Sequence, residues 1–163
     1  MKKTLHTVLL LLAVFCFSRA SAQLFNWVSK VEATSFNYGY MYVRNSAVDS
    51  QGNVYVVGAY NKSIFLNNTT IAGSFNSTYG IIFKLNRNGN FLWIKTLLGN
   101  DPFSTLERCD VSAIALDGNG GVYLTGSYSG TIDFGPDALT NYMTSSGDKD
   151  IFIAKWDTSG TPV

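Results

Sequence analysis

The sequence is poor in the residue types that most catalytic and metal sites use. It contains one histidine, two cysteines and only 14% charged side chains in 163 residues. The histidine and one cysteine, His6 and Cys16, lie in a predicted leader. The remaining chain therefore has no histidine for a Ser-His-Asp or Cys-His mechanism, or for a zinc site. Cys109, the second cysteine, has no partner for an intrachain disulfide, so we expect it to be a small buried apolar residue.

Residues 1–22 predict a secretory signal peptide. A basic start is followed by an apolar run too short to span a bilayer comfortably, and then by the small residues Ala20 to Ala22. Cleavage is expected before Gln23. A lipoprotein with Cys16 acylated is the alternative, but Phe15 stands where a small residue is needed. We expect export to the medium or to the surface of a bacterial cell, with no membrane span in the mature chain.

The balance of charge argues against a nucleic-acid partner. The twelve basic residues include Lys2, Lys3 and Arg19 of the leader, so nine remain against eleven acidic residues, a net charge of about −2. Nucleic-acid binding needs clustered Lys and Arg, which are lacking. The abundance of aromatic, Gly, Asn, Ser and Thr residues instead predicts an all-β protein of short strands and tight turns.

The chain repeats itself. "AVDSQGNVYVVGAY" at 47–60 returns as "ALDGNGGVYLTGSY" at 115–128, 68 positions later, and "IIFKLNRNGN" at 81–90 returns as "FIAKWDTSGT" at 152–161. "NWVSKV" from Asn26 is likewise similar to "LWIKTL" from Leu92. A unit of 66–71 residues is too long for a helical hairpin and suits a four-stranded sheet with long loops.

Each unit is predicted to hold four antiparallel strands joined by two kinds of turn. Strand one covers 43–48 or 111–116, strand two 54–60 or 122–128, strand three 81–85 or 151–156, and strand four 91–97. Glycine supplies the positive φ that a tight turn needs, and aspartate accepts backbone N–H bonds there. Apolar residues on both faces of strands two and three predict sheets that pack between neighbours. The predicted turn residues are Asp49, Gly52, Asn53, Gly89, Asp117, Gly120, Asp157 and Gly160.

Sheets packed face to face around an axis form a β-propeller. "AVDSQGNVYVVG", "GTIDFGP" and "DIFIAKWDTSG" resemble the secreted bacterial β-propeller repeat (SBBP) family over about 43–160. The first unit departs from the family's Asp-Phe-Gly at Ile64, Phe65 and Leu66. The resemblance implies that strand one of each blade lines the central channel and strand four forms the rim.

The resulting division is a signal peptide at 1–22, a leading rim strand at Trp27 with a linker at 23–42, and two blades. The first blade covers 43–98 and the second covers 99–163 without its last strand. The repeat would continue with a tryptophan after Val163. We therefore expect this chain to be an N-terminal piece of a longer propeller, with only part of the ring present. The remaining blades of the parent chain would then be its partners.

Four features of the sequence invite a chemical interpretation. "DGNGG" at 117–121 has calcium-like spacing, but Tyr128 occupies the position where an EF-hand has Glu, so a hairpin turn is predicted. "IDFGPD" at 132–137 contains Asp-Phe-Gly without any other kinase feature. A glycosidase carboxylate pair could form only between blades. "FNYGYMYV" at 36–43 places Phe36, Tyr38, Tyr40 and Tyr42 on one face of a strand, either stacking on sugar rings or packing against a neighbouring blade.

No residue is assigned to catalysis, to a cofactor or to a metal. The sequence predicts an exported, non-catalytic β-propeller scaffold or recognition module with an unknown protein or glycan ligand. One alternative is a carbohydrate-binding propeller, which would need tyrosines such as Tyr38 and Tyr40 exposed in a concave patch. The other is part of a propeller hydrolase or lyase whose site lies in further blades.

Overall fold

The computed structural model describes residues 27–33, 39–97, 108–134 and 142–163. All regular secondary structure in these ranges is β-strand, and every pair of named strands is antiparallel, so the all-β prediction is confirmed. The same ranges contain no helix long and apolar enough to cross a membrane. The predicted leader and its cleavage site before Gln23 lie outside the described residues, as do Phe36 and Tyr38.

Twelve strands are seen in the described ranges. The first seven are β1 (Glu32–Ala33), β2 (Met41–Val48), β3 (Val54–Tyr60), β4 (Ile64–Leu66), β5 (Thr69–Ile71), β6 (Tyr79–Leu85) and β7 (Phe91–Leu97). The other five are β8 (Arg108–Leu116), β9 (Val122–Ser129), β10 (Thr131–Asp133), β11 (Tyr142–Thr144) and β12 (Asp150–Trp156).

The two predicted units form two principal sheets. The first sheet has the order β2-β3-β6-β7, and the second has the order β8-β9-β12. A small hairpin interrupts each sheet at the same place: β4 and β5 in the first unit, β10 and β11 in the second. The first sheet has four strands and the second has three, the last of them β12. These numbers match the four strands and three strands predicted for the two units.

The structure differs from the predicted strands near the N-terminal end of the first unit. Strand one begins two residues before Val43, because Met41 and Tyr42 continue the ladder against β3. Residues 27–31 pair with no other strand of the described ranges, so the leading rim strand predicted at Trp27 stays a prediction; pairing begins at Glu32, which lies opposite β4. Trp27 instead lays its indole ring on the turn at Gly89.

Each principal sheet contains the same irregularity beside a required glycine. The register of β2 against β3 shifts at Arg44, and that of β8 against β9 shifts at Ser112, 68 residues later. A Cβ on Gly58 would lie 2.0 Å from the carbonyl oxygen of Tyr42, and one on Gly126 would lie 2.1 Å from the equivalent oxygen in β8. Only glycine permits this approach of the two backbones, so the bulge and the glycine belong together.

The two principal sheets pack face to face, with β2 next to β8. The backbone N–H of Cys109 donates to the carbonyl of Thr78 at 2.8 Å and so joins the sheets directly. Burial of apolar surface between them supplies the main stabilisation. The core between the sheets includes Tyr55, Val57, Ile82, Val111, Leu124, Tyr128, Phe152 and Trp156.

The first sheet is buried on both faces, as predicted, but the second is not. A second cluster, which includes Tyr60, Ile64, Ile81 and Phe83, covers the other face of the first sheet. On the second sheet Ile151 and Ile153 alternate with buried residues of β12 and remain 77% and 79% exposed.

Candidate functional site

A groove of about 490 Å³ opens where β2 and β8 begin. Residues 75–78, which precede β6, and the side chain of Lys149 complete its walls. The groove therefore spans both principal sheets and exists only when they are packed together. We refer to it as the inter-sheet groove, and its aromatic and charged lining residues are Tyr40, Tyr42, Arg44, Phe75, Arg108, Asp110 and Lys149.

An aromatic ladder forms one side of the inter-sheet groove. Tyr40 and Tyr42 point to the same face because side chains alternate along an extended chain. Their rings stack with centroids 5.4 Å apart and planes 14° apart. The guanidinium of Arg44 lies 4.2 Å above the ring of Tyr42 and extends the stack. Tyr40 Oη is 2.9 Å from Thr78 Oγ1, which holds the outermost ring in place.

An ion pair connects the ladder to the second sheet. Arg44 Nη2 donates to Asp110 Oδ2 at 2.6 Å, and Arg44 Nε donates to both carboxylate oxygens at 3.2 Å. This hydrogen bonding raises the pKa of Arg44 above its ordinary value, opposed in part by desolvation. Burial, together with the nearby charge of Asp110, raises the pKa of Tyr42. The tyrosine is therefore a neutral phenol near pH 7 and can both donate and accept a hydrogen bond.

The inter-sheet groove has the chemistry of a binding surface. Asp110 is the one carboxylate among its described lining residues, and Arg44 already pairs with it. The stacked rings offer a flat apolar surface, and the side chains around them offer donors to a polar ligand. Cys109 is 1% exposed, and burial raises the pKa of its thiol to about 12, which disfavours the reactive thiolate.

The predicted turn residues lie at turns, and three of the eight, Asp49, Asn53 and Gly120, line a second concavity at the far end of β2 and β8. This space of about 560 Å³ is lined by the turns at Asp49 and Gly120 together with Tyr55 and Lys84. Asp49 accepts hydrogen bonds from the backbone of Gln51 and Asn53 at 3.0 and 2.8 Å. Burial alone would raise the pKa of Asp49, but a hydrogen bond from the Asn53 side chain, these two backbone bonds and the charge of Lys84 lower it.

The glycines and the other two aspartates of the predicted turns show the backbone geometry and hydrogen bonds expected of a tight turn. Gly52, Gly89, Gly120 and Gly160 have φ values of 81°, 81°, 100° and 78°. Asp117 accepts bonds from the backbone of the residues two and four positions later, at 2.8 Å each, and Asp157 does so at 2.8 and 3.0 Å. The carboxylates are thus occupied by N–H donors. Across the described ranges no three His, Cys, Asp or Glu side chains come together as metal ligands.

Sequence reasoning overlooked several residues that the structure brings together. Asn86 opens the turn of Gly89 as Asp157 opens that of Gly160, accepting N–H bonds at 2.9 and 3.0 Å. Aspartate and asparagine are interchangeable in such turns, so the alignment of the repeat could have found it. Arg44 and Asp110 were also missed, although the repeat places Asp110 at the position of Tyr42, 68 residues later.

Comparison with known proteins adds no relative. No protein-family model matches the sequence. The search of curated proteins likewise gives no match.

Proposed function

We propose that this chain is a segment of an SBBP-like β-propeller that serves as an exported, non-catalytic scaffold or recognition module. The observation that carries the proposal is a contact that recurs once per unit. Trp93 Nε1 donates to the carbonyl of Thr158 at 3.0 Å, and its ring lies on Gly160. Trp27 Nε1 donates to the carbonyl of Arg87 at 3.1 Å, and its ring lies on Gly89.

The recurring contact is directional, which favours a ring or array. Trp93, in β7 of the first sheet, contacts the turn that follows β12 in the second sheet. Trp27, which aligns with Trp93, contacts the equivalent turn of the first sheet, which follows β6. A contact that always passes from one unit to the next can be repeated around an axis, and a propeller is built in this way. The adjacent placement of β2 and β8 supports an inner position for both strands.

Within such a module, the inter-sheet groove is the proposed ligand site. Carbohydrate binding is the second candidate function, and one observation favours it: Tyr40 is 41% exposed and lines a concave surface beside hydrogen-bonding groups. A sugar ring could stack on the tyrosine while its hydroxyl groups bond to Thr78 or Lys149. Tyr38, named with Tyr40 for this role, lies outside the described residues.

The ligand test is a glycan array with the mature chain, comparing wild type, Tyr40→Ala and Tyr142→Ala. Tyr142 is the matched control because it is 37% exposed and lies outside the lining of the groove. We expect captured glycans to bind at least about tenfold more weakly to Tyr40→Ala and unchanged to the control. Equal binding by all three proteins would refute the groove as the site. Release of shortened glycan products would refute a non-catalytic function.

Export is tested by N-terminal sequencing of the protein recovered outside a producing bacterial cell. We expect the sequence to begin at Gln23. A chain that retains Met1, or one lipidated at Cys16, would contradict the predicted signal peptide.

A further inference from the structure

The inter-sheet groove is more positive than the chain that forms it. Its charged lining residues in the described ranges are three cations and one carboxylate, Arg44, Arg108, Lys149 and Asp110, whereas the mature sequence carries a net charge of about −2. Arg44 is already paired with Asp110. Arg108 and Lys149 are both exposed, and neither makes an ion pair with a described residue. The groove thus offers two cations to a ligand.

These two cations lie close to the exposed end of the aromatic ladder. The backbone of Arg108 forms a bridge with Thr78, and Thr78 Oγ1 is 2.9 Å from Tyr40 Oη. Lys149 lies on the other side of β9 from Arg108, because β9 pairs with β8 on one edge and with β12, which begins one residue after Lys149, on the other. Neighbouring strands are about 4.8 Å apart, so the two backbones are roughly 10 Å apart and both side chains can reach one small ligand.

The internal repeat indicates that the fold does not require these side chains. Three pairs of equivalent positions, related by the offsets of 68 and 71 residues, line the groove with two different kinds of side chain each: Tyr40 and Arg108, Tyr42 and Asp110, Thr78 and Lys149. By contrast, the aspartate of the turn after strand one and the glycine beside each bulge are the same in both units. The difference favours a binding role for the groove, since specific sites are added to a fold rather than dictated by it.

An aromatic surface beside cations fits a sugar that carries its own negative charge. Tyr40 is 41% exposed, and its ring offers a flat apolar face on which a pyranose ring can stack. In a hexuronate the carboxylate is attached directly to the pyranose ring, so the anion stays beside the stacked face. The guanidinium of Arg108 matches a planar carboxylate in the way that Arg44 already holds Asp110. The groove volume of about 490 Å³ lies within the range of small-ligand sites.

We propose that the inter-sheet groove binds an acidic polysaccharide through a hexuronate residue, with the sugar ring stacked on Tyr40 and its carboxylate paired with Arg108 and Lys149. This inference rests on the proposed ligand site and adds to it the class of glycan. The ring contact contributes affinity that does not depend on charge, whereas the two cations select the acidic sugar over its neutral counterpart.

The first test is isothermal titration of the mature chain with soluble oligomers of glucuronate, galacturonate and mannuronate. Each oligomer is also titrated after its carboxyl groups have been reduced to alcohols, which keeps the rings and linkages and removes only the charge. We expect at least one uronate oligomer to bind at least about tenfold more tightly than its reduced form. This preference should shrink as NaCl is raised from about 0.05 M to about 0.5 M, because salt screens exposed charges.

The second test removes the two cations one at a time, each with a matched control outside the groove. Arg108→Gln is compared with Arg87→Gln, and Lys149→Gln with Lys30→Gln. All four side chains are exposed, so these substitutions should leave folding intact. We expect each groove variant to bind the uronate oligomer at least about fivefold more weakly through loss of a charge-assisted contact, and the reduced oligomer as wild type does. Both controls should bind as wild type does.

Equal binding of every uronate oligomer and its reduced form would overturn the proposal, and so would uronate binding that neither groove variant weakens. Tighter binding of dextran sulfate than of any uronate oligomer, weakened by Arg108→Gln, would assign the groove to a sulfated chain instead. Because carboxyl reduction leaves the protein unaltered, that comparison decides the proposal even where a variant fails to fold.

Failure of this inference is distinguishable from failure of the proposed ligand site. If the glycan array captures neutral glycans that Tyr40→Ala releases while no uronate oligomer binds, the site stands and the acidic class is wrong. If no glycan binds in either experiment, both the site and the class of glycan are wrong.

Discussion

Replacing Gly58 by alanine tests whether the backbone approach in β2 and β3 is a requirement of the fold. Gly58 does not have the positive φ that usually explains a glycine. The reason for glycine here is space: an added Cβ would lie 2.0 Å from the carbonyl oxygen of Tyr42 and 3.2 Å from Cα of Val43. Both obstacles are backbone atoms of β2, so no side-chain rotation can relieve them.

The expected cost follows from the displacement that alanine forces. An ordinary carbon–oxygen contact is about 3.3 Å or longer, so β2 and β3 must separate locally by more than about 1 Å. Two or three ladder hydrogen bonds then lengthen, each with a net value of about 1 kcal/mol. Alanine returns up to about 1 kcal/mol by restricting the unfolded chain. We expect a net loss of about 1–3 kcal/mol, and a fall in melting temperature of roughly 5–10 °C.

The assay is urea unfolding of the mature chain, with two other glycines as matched controls. Gly147 has nothing within 4 Å of an added Cβ and no positive φ, so alanine there should be neutral or stabilise by up to about 1 kcal/mol. Gly118 is equally open but has a φ of 79°, so alanine there should cost about 1–2 kcal/mol through backbone strain alone. If Gly58→Ala unfolds at the urea concentration of Gly147→Ala, the close approach is not a constraint and the reasoning fails.

Three further predictions concern turns, acid and thiol reactivity. Gly52→Val should destabilise by about 1–3 kcal/mol in a urea melt, because valine is strained at a φ of 81°; a neutral result would contradict the turn. The hydrogen bond from Ser159 lowers the pKa of Asp157, so its stabilisation is present above about pH 4 and is lost as the pH falls further. Asp157→Asn, which copies Asn86, should therefore flatten the fall in urea midpoint between pH 5 and pH 3; an unchanged slope would count against it. Cys109 should react with a thiol reagent at pH 8 only after unfolding, because burial raises its pKa to about 12; rapid labelling of the native chain would disprove this.

The elements that could be predicted from sequence are those controlled by neighbours along the chain. Asp49 and Gly52 make a turn through contacts within five residues, and the same local chemistry recurs at Asp157 and Gly160. Apolar runs bounded by these turns predicted the strands of each unit, since a tight turn limits where a strand begins and ends. The internal repeat then predicted four strands in the first unit and three in the second. The contact of Trp27 could not be predicted in this way, because its ring packs on a turn about 60 residues away in the sequence.

The inter-sheet groove was decided by tertiary structure. The sequence predicted that Tyr40 and Tyr42 share one face, but it did not show the ion pair beside them. Arg44 and Asp110 are 66 residues apart and meet only because β2 lies against β8. The same packing buries Lys84 and leaves the equivalent Lys155 in solvent. Local sequence specifies which side chains a strand presents, and the neighbouring sheet decides whether they become core, interface or binding surface.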